Sequence, residues 1–547
     1  MSKKTEKGKP AKTPAARKEE QAAGGAGEKA QQDKPKTLVK PIASARSTEK
    51  KVISEYEFEY DGVPAKVKIC WQPPEYVPVY NLEWPEIEPA TNAVLDSVRE
   101  KMIEQTIIPF GEVINPDEMK NLQEKFLREA FNLIRNKMPQ LSLKTQRTLA
   151  GILMHNSLGL GNIEMLLQDD NIEEVVINSA KEPVWTYHIK LGWLKTNLYL
   201  PSETSTYNYA ALIGRRVGTQ ITNLAPLMDA YMTSGDRANA TLFPISSNGN
   251  TLTIRKFARR PWAITDFIRE GTITSEAAAF LWLAIQYELN VVIAGGTASG
   301  KTSLLNVLTT FIPPNQRVIS IEETRELQLP TFMHWVPLTT RPPNPEGRGE
   351  VSMLDLMVNS LRMRPDRIMV GEIRRGREAE VLFEAIHTGH SVYSTMHANT
   401  AEETFRRLVN PPINIPQTML TSLQLIAVMH RDRRRNVRRL LEISELISSG
   451  GMEETRIELN AVFRWVPSKD KIMQWGKSHR VMNDIKLFTG MDDSELDKNL
   501  EEKRKVLEWM TKSGINDMNE VGKLISEYYA DSKAVLDMIA ADEKRAK

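Results

Sequence analysis

Gly295-Gly296-Thr297-Ala298-Ser299-Gly300-Lys301-Thr302 satisfies the spacing G-x-x-x-x-G-K-[ST]. Before it, Asn290-Val291-Val292-Ile293-Ala294 reads as a buried strand; after it, Ser303-Leu304-Leu305-Asn306-Val307-Leu308 reads as the opening of a helix. The pattern predicts a strand, a glycine-rich bend and a helix in succession. Glycines at 295, 296 and 300 let the backbone turn tightly and bring N–H groups toward phosphate oxygens. The helix N-terminus adds partial positive charge. Lys301 adds a full charge toward the β- and γ-phosphates, and the Thr302 hydroxyl suits Mg2+. The stretch implies a nucleoside triphosphate site.

Hydrolysis asks for more: a group to activate water, an acid for the metal, and positive charge for the transition state. Downstream, Val318-Ile319-Ser320-Ile321-Glu322-Glu323 is an apolar strand ending in two acids. A carboxylate at the carboxyl end of a parallel strand sits where ligands bind in such sheets. Glu322 is the candidate for activating water; a solvated acidic turn is the plainer alternative. Arg367-Ile368-Met369-Val370-Gly371-Glu372 is a second apolar strand ending in an acid. It resembles a Walker B strand with Glu in place of Asp, and Glu372 would hold Mg2+ through water. His387, His390 and His397 fall within eleven residues. They read either as metal ligands or as a strand-end histidine that contacts the γ-phosphate; the spacing lacks the H-x-x-x-H helix pair of a metal site.

Farther out, β–α alternation from 290 to about 420 predicts a mostly parallel sheet covered by helices, so the fold class is α/β. Residues 274–288 read as an amphipathic helix. Arg259-Arg260-Pro261 breaks the preceding strand pattern and opens an expected linker over 261–272. It separates an N-terminal domain over 51–260 from an ATPase domain over 273–547. The N-terminal domain begins with a hairpin around Asp61-Gly62. The prolines from 73 to 89 read as an extended connector, 92–154 as helical, and 162–260 as mixed. Residues 1–50 carry 13 basic against 6 acidic residues and no aromatic, a composition that favours disorder. The net charge of the whole chain is only +2, so bulk electrostatics name no partner. The single cysteine, Cys70, rules out an intramolecular disulfide or a multi-cysteine zinc site. The basic stretch 431–439 lies between two apolar runs and reads as the turn of a strand pair. A partner-facing or membrane-facing patch, or nucleic-acid binding, are the alternatives.

The ordered set of phosphate loop, acidic box at Ile321-Glu322-Glu323, Gly371-Glu372, and histidine box from Gly389-His390 to Thr395-Met396-His397 resembles the type II/type IV secretion ATPase superfamily. These are RecA-like hexameric motors of pilus assembly, pilus retraction and secretion. The stretch Gly371-Glu372-Ile373-Arg374-Arg375-Gly376-Arg377-Glu378-Ala379-Glu380 resembles the archaeal branch, as do Val462-Phe463-Arg464-Trp465 and Val506-Leu507-Glu508-Trp509-Met510. Within that branch it is nearest the archaellum motor ATPases, with adhesion-pilus assembly ATPases next. The resemblance implies a RecA-like P-loop C-terminal domain and a separate α/β N-terminal domain. It also implies ATP and Mg2+ as ligands, bound by residues 295–302, with Glu322 catalytic, Glu372 the Walker B acid and His397 the histidine-box contact. Arg237 and Arg255 would reach the nucleotide across the domain cleft; a surface salt bridge is the alternative for each.

Implied partners are five further copies in a homo-hexamer, an integral membrane platform protein, and filament or motor accessory proteins. The implied location is cytoplasmic, at the inner face of the cell membrane, with no nucleic acid expected. A DNA-translocating conjugation or packaging motor and an ATP-gated scaffold without turnover are the rival readings. Two departures stand out: no four-cysteine zinc module, and Glu322-Glu323 where the acidic box usually reads Glu-Asp.

Overall fold

The first strand pair turns at Asp61 and Gly62, whose φ values of 50° and 79° are what a two-residue hairpin turn requires. The computed structural model describes residues 51–105, 116–232, 235–257, 260–343, 347–435, 437–449 and 456–546. The basic segment 1–50 and Arg259 of the expected linker lie outside the described residues.

Among the described residues, strands form two nine-stranded sheets. The first holds β1 (Lys51–Tyr60), β2 (Val63–Trp71), β3 (Val79–Glu83), β4 (Ile172–Ile177), β5 (Trp185–His188), β6 (Gly192–Thr196), β7 (Leu227–Tyr231), β8 (Arg237–Thr241) and β9 (Thr251–Arg255). Its order is β1-β2-β3-β6-β5-β4-β9-β8-β7. Helices Pro89–Gln105, Pro116–Lys137 and Leu143–Leu158 build a core of their own around Val98, Ala130, Ile134 and Leu153. The expected extended connector over 73–89 is not one throughout. Val79–Glu83 joins the sheet as β3, antiparallel to β2 and parallel to β6. Its alternation buries Tyr80 and Leu82, an apolar signal that the flanking prolines obscure.

The second sheet holds β10 (Val291–Gly295), β11 (Val318–Glu322), β12 (Trp335–Thr339), β13 (Arg367–Val370), β14 (Ser391–Met396), β15 (Leu425–Asp432), β16 (Val437–Ser449), β17 (Arg456–Val466) and β18 (Lys471–Gln474). Its order is β12-β11-β13-β14-β10-β15-β16-β17-β18. The first six strands are mutually parallel and the last three are added antiparallel. Every residue of β10, β11, β13 and β14 is buried, as expected of parallel strands covered on both faces. Arg367 is wholly buried where β13 begins. Its guanidinium donates to Gln316, Ser391 and the Ile285 carbonyl at 2.7–2.8 Å, which satisfies the charge.

The helix expected to be amphipathic, now Ser275–Gln286, is buried on all sides, with Ala277–Ile285 at most 2% exposed. A helix apolar all round needs cover on both flanks. The sheet covers one, and the C-terminal helices Asp493–Lys512, Met518–Ala530 and Ser532–Ala546 cover the other. Trp282 stacks on Phe311 at 5.3 Å and donates to the Tyr529 hydroxyl, which donates in turn to the Phe311 carbonyl. Among the described residues no helix is long and apolar enough to cross a membrane.

Lys503 is fully buried in this cluster, its ammonium 5.4 Å from the Trp282 ring and 5.1 Å from Tyr528. Burial pushes its pKa down to about 7, against the pull of Glu502. The unfolded lysine therefore holds its proton more tightly, and stability rises with pH from about 7 toward the ordinary lysine value near ~10.4. Lys503→Met is expected to raise the thermal midpoint at pH 7 by ~2 °C or more and to flatten that pH dependence. A lower midpoint in a pH series of melts would show that the cation–ring contacts and the hydrogen bond Lys503 donates to Asn499 outweigh the desolvation cost.

Candidate functional site

Parallel pairing decides where the side chains meet. Strands β11, β13, β14 and β10 are consecutive neighbours, with Ile321 opposite Val370, Val370 opposite Ser394, and Ala294 opposite Met396. Their carboxyl ends therefore form one edge, and Glu322, Glu372, His397 and the glycine bend all fall on it. This is the crevice where α/β sheets bind ligands.

The bend is shaped by glycine where nothing else fits. Gly295 has φ 155°, and a Cβ there would lie 2.4 Å from Ser299 Oγ and 2.5 Å from the Met429 carbonyl oxygen. Gly300, at φ 95°, is the N-cap of helix Lys301–Leu308 and makes no side-chain cap. The first amides of that helix consequently face the bend without an intrahelical partner. Ser299 Oγ donates to the Gly296 carbonyl at 2.8 Å and closes the loop on itself.

Lys301 is 8% exposed. Its ammonium donates to the Gly296 carbonyl at 3.1 Å and lies 3.2 Å from His397 Nδ1. The other nitrogen of that ring, Nε2, is 3.2 Å from Glu372. His397 thus stands between the loop lysine and the second acid. Burial, then the nearby Lys301 charge, holds its pKa below the usual histidine value. Burial also lowers Lys301.

Glu322 is 2% exposed and accepts from the amides of Glu326 and Leu327 at 2.9 and 3.0 Å. Burial outweighs both bonds and pushes its pKa up to about 7. Gly371 lies directly against Glu322, close enough that a Cβ there would make ordinary contact with Glu322 Cγ at 3.4 Å. Thr302 sits in the first turn of the loop helix, partly exposed. A triphosphate with Mg2+ fits this set: free amides and an ammonium for the phosphates, a hydroxyl and a carboxylate for the metal.

The sequence reading missed several contributors. Arg374 forks between the two boxes, with Nη1 2.6 Å from Glu323 and Nη2 2.9 Å from Glu372. It gives Glu323 a partner and raises the Arg374 pKa, through Glu372 first. Arg407 donates to the His397 carbonyl. Arg438 Nε donates to the Ala298 carbonyl at 3.2 Å. The stretch 431–439 does form the turn of the antiparallel β15–β16 pair, yet its second arm reaches the phosphate loop. Residues on a distant hairpin carry no local signal of such a contact.

His387 and His390 stand apart from this group. The His390 ring lies 3.0 Å from Thr388 Oγ1 and 3.1 Å from the Ala385 carbonyl at the end of helix Gly376–His387. Arg237 and Arg255 face each other across β8 and β9. Arg237 forks onto Asp229 at 3.0 and 2.6 Å and stacks on Tyr231. Its pKa is raised by Asp229 first, with Glu323 among the smaller contributors; its charge therefore lies within electrostatic reach of the acidic box. Arg255 stands exposed beside Glu174, its partner across β4. Neither arginine is brought into hydrogen-bond contact with residues 295–302.

The family model for type II/IV secretion system proteins matches residues 237–446, from the start of β8 to the middle of β16. Over 415 residues the chain is 33% identical to uncharacterized protein MJ0900 of Methanocaldococcus jannaschii, covering 74% of each. It is 31% identical over 264 residues to the type IV secretion system protein PtlH of Bordetella pertussis, covering 44% of this chain and 77% of that one. The VirB11 ATPase of the Brucella suis type IV secretion system, solved with sulphate, is 26% identical over 51% of this chain and 92% of its own, with a TM-score of 0.27. With this family match and these curated relatives, the chain belongs to the type II/IV secretion system protein family.

Proposed function

We propose that this chain hydrolyses ATP and that, as a homo-hexamer, it drives assembly or rotation of an archaeal type IV pilus-like filament, the archaellum being the nearest reading. The observation that carries the catalytic part is the shared strand edge, where Lys301, His397 and Glu372 are linked and Glu322 stands beside them. The amides of residues 296–302 bind the phosphates, and Lys301 leaves the Gly296 carbonyl for the terminal phosphoryl oxygens. Glu322 takes the proton of the attacking water; a carboxylate that titrates near 7 is matched to that task at neutral pH. Thr302 and Glu372 would hold Mg2+, the latter through water, and the ion would supply charge neutralisation for phosphoryl transfer. Arg374 keeps the acidic box and the Walker B acid at a fixed spacing. Arg237 and Arg255 supply outside charge when the first sheet closes on the edge, with 261–272 as the hinge between the two proposed domains.

The filament assignment rests on the archaeal pattern of residues 371–380 and is supported by a Methanocaldococcus jannaschii relative. Work on a filament requires an integral membrane platform protein and accessory proteins at the cytoplasmic face of the membrane. A second reading, a motor for secretion rather than for a filament, is favoured by the likeness to PtlH. Replacing Lys301 by Ala in the native cell separates them: loss of surface filaments supports the first reading, and intact filaments with lost export support the second.

Purified protein is expected to release phosphate from ATP only with Mg2+. Lys301→Ala and Glu322→Gln should each lower turnover by at least ~10²-fold; a wild-type rate from Glu322→Gln would remove that residue from catalysis. The base must be ionised to act, so kcat should climb as pH rises through about 7 and level above it. A flat profile between pH 5.5 and 8.5 would contradict the role. Arg255→Ala is expected to raise the apparent KM or lower kcat with an unchanged melting curve; unaltered kinetics would return Arg255 to a surface ion pair.

A further inference from the structure

The β15–β16 hairpin touches three parts of the molecule at once. Arg431 and Arg438 are direct partners across its two strands, so their side chains share a face. Like charges so placed repel, and here each guanidinium is aimed at a different acceptor. Arg438 Nε donates to the carbonyl of Ala298 at 3.2 Å. Ala298 has φ 58°, a left-handed conformation that a residue with a Cβ rarely adopts. The Arg438 stem also runs past Gly300, with Cδ 3.6 Å from where a Cβ would stand. It therefore holds the loop on both sides of Ser299.

Arg431 reaches the other way. It donates to the Tyr187 hydroxyl and lies 5.9 Å from that ring, and Tyr187 belongs to β5 of the first sheet. Trp193 of β6 packs edge-on against the same ring at 5.2 Å. The hairpin is anchored right beside this arginine pair. Arg439 forks onto Asp470 at 2.9 Å through both Nε and Nη2, and its Nη1 donates to the Glu270 carbonyl at 3.2 Å; the Leu440 amide donates to the Thr272 carbonyl. A two-stranded hairpin tied down next to its turn thus has one arginine on the phosphate loop and the opposite one on the first sheet.

We propose that Arg438 is a positioning residue for the phosphate loop and that the Arg431–Arg438 pair transmits the state of that loop to Tyr187 on β5. The inference rests on residues 295–302 being the ATP site. A bound triphosphate brings negative charge beside two guanidiniums that otherwise repel, so occupancy tightens the face they share. The strand pair then passes that change to the aromatic pair of Tyr187 and Trp193.

The test uses the full chain, steady-state ATP turnover, and amide hydrogen exchange of Trp185–His188 with and without saturating non-hydrolysable ATP analogue. Arg438→Ala is expected to raise KM by ~10-fold, the size of one lost charge-assisted hydrogen bond, with a smaller loss in kcat. Arg438→Lys should recover part of the KM. Nucleotide should slow exchange of the β5 amides in the wild type and leave it unchanged in saturated Arg438→Ala. In a double-mutant cycle, Arg438→Ala and Tyr187→Phe should be non-additive in KM. An unchanged KM, equal slowing of exchange in both proteins, or additive effects would overturn the proposal. If Arg438→Ala fails to fold, Arg438→Met, which keeps an apolar stem but no charge or donor, carries the test, and a wild-type KM with wild-type exchange for it overturns the proposal as well. Wild-type turnover from Lys301→Ala would instead sink the ATP-site reading and so separates the two failures.

Discussion

Parallel pairing makes every strand enter the sheet from the same side, so the residue that follows each strand falls on a common edge whatever its distance along the chain. Glu322, Glu372 and His397 span about a seventh of the sequence, yet the register of β11, β13, β14 and β10 sets them in a row beside the glycine bend. Placing β14 between β10 and β13 has a chemical result: His397 stands between Lys301 and Glu372 and touches both. An order with β13 directly beside β10 would put the lysine and the acid side by side, with no imidazole to relay between them.

The same edge shows how burial tunes charge. Glu322 and Glu323 are adjacent in sequence and differ in environment. Glu322 turns inward, loses water and accepts only two amide bonds. Glu323 turns outward onto Arg374. Desolvation without a full partner favours the neutral form of a carboxyl group, which is the property a base operating near neutral pH needs. At the opposite end of the sheet, Arg367 shows the reverse solution: a fully buried guanidinium whose N–H groups are met by a ring of acceptors. One end of the sheet is thereby pinned, while the other keeps groups that can change partners.

Much of this was legible in the sequence because it is local. A short apolar run followed by glycine, acid or histidine marks a strand end, and the phosphate loop carries its own spacing. The hairpin at Asp61-Gly62 was readable for the same reason. What escaped depends on register between distant strands. Arg374 forks between two boxes that meet only when β11 and β13 pair. Arg438 finds Ala298 only when β15 lies against β10. Helix Ser275–Gln286 looked one-sided because its second cover comes from helices that begin more than two hundred residues later.

That second cover has a practical meaning. Trp282 and its apolar neighbours lie beneath the C-terminal helices, joined to them by the hydrogen bond to Tyr529. A chain stopped short of Asp493 would keep every residue of the nucleotide edge and still lay bare a broad greasy flank. Such a fragment would be prone to self-association, so the segment after 492 acts as an inseparable back wall of the second sheet and not as a dispensable tail.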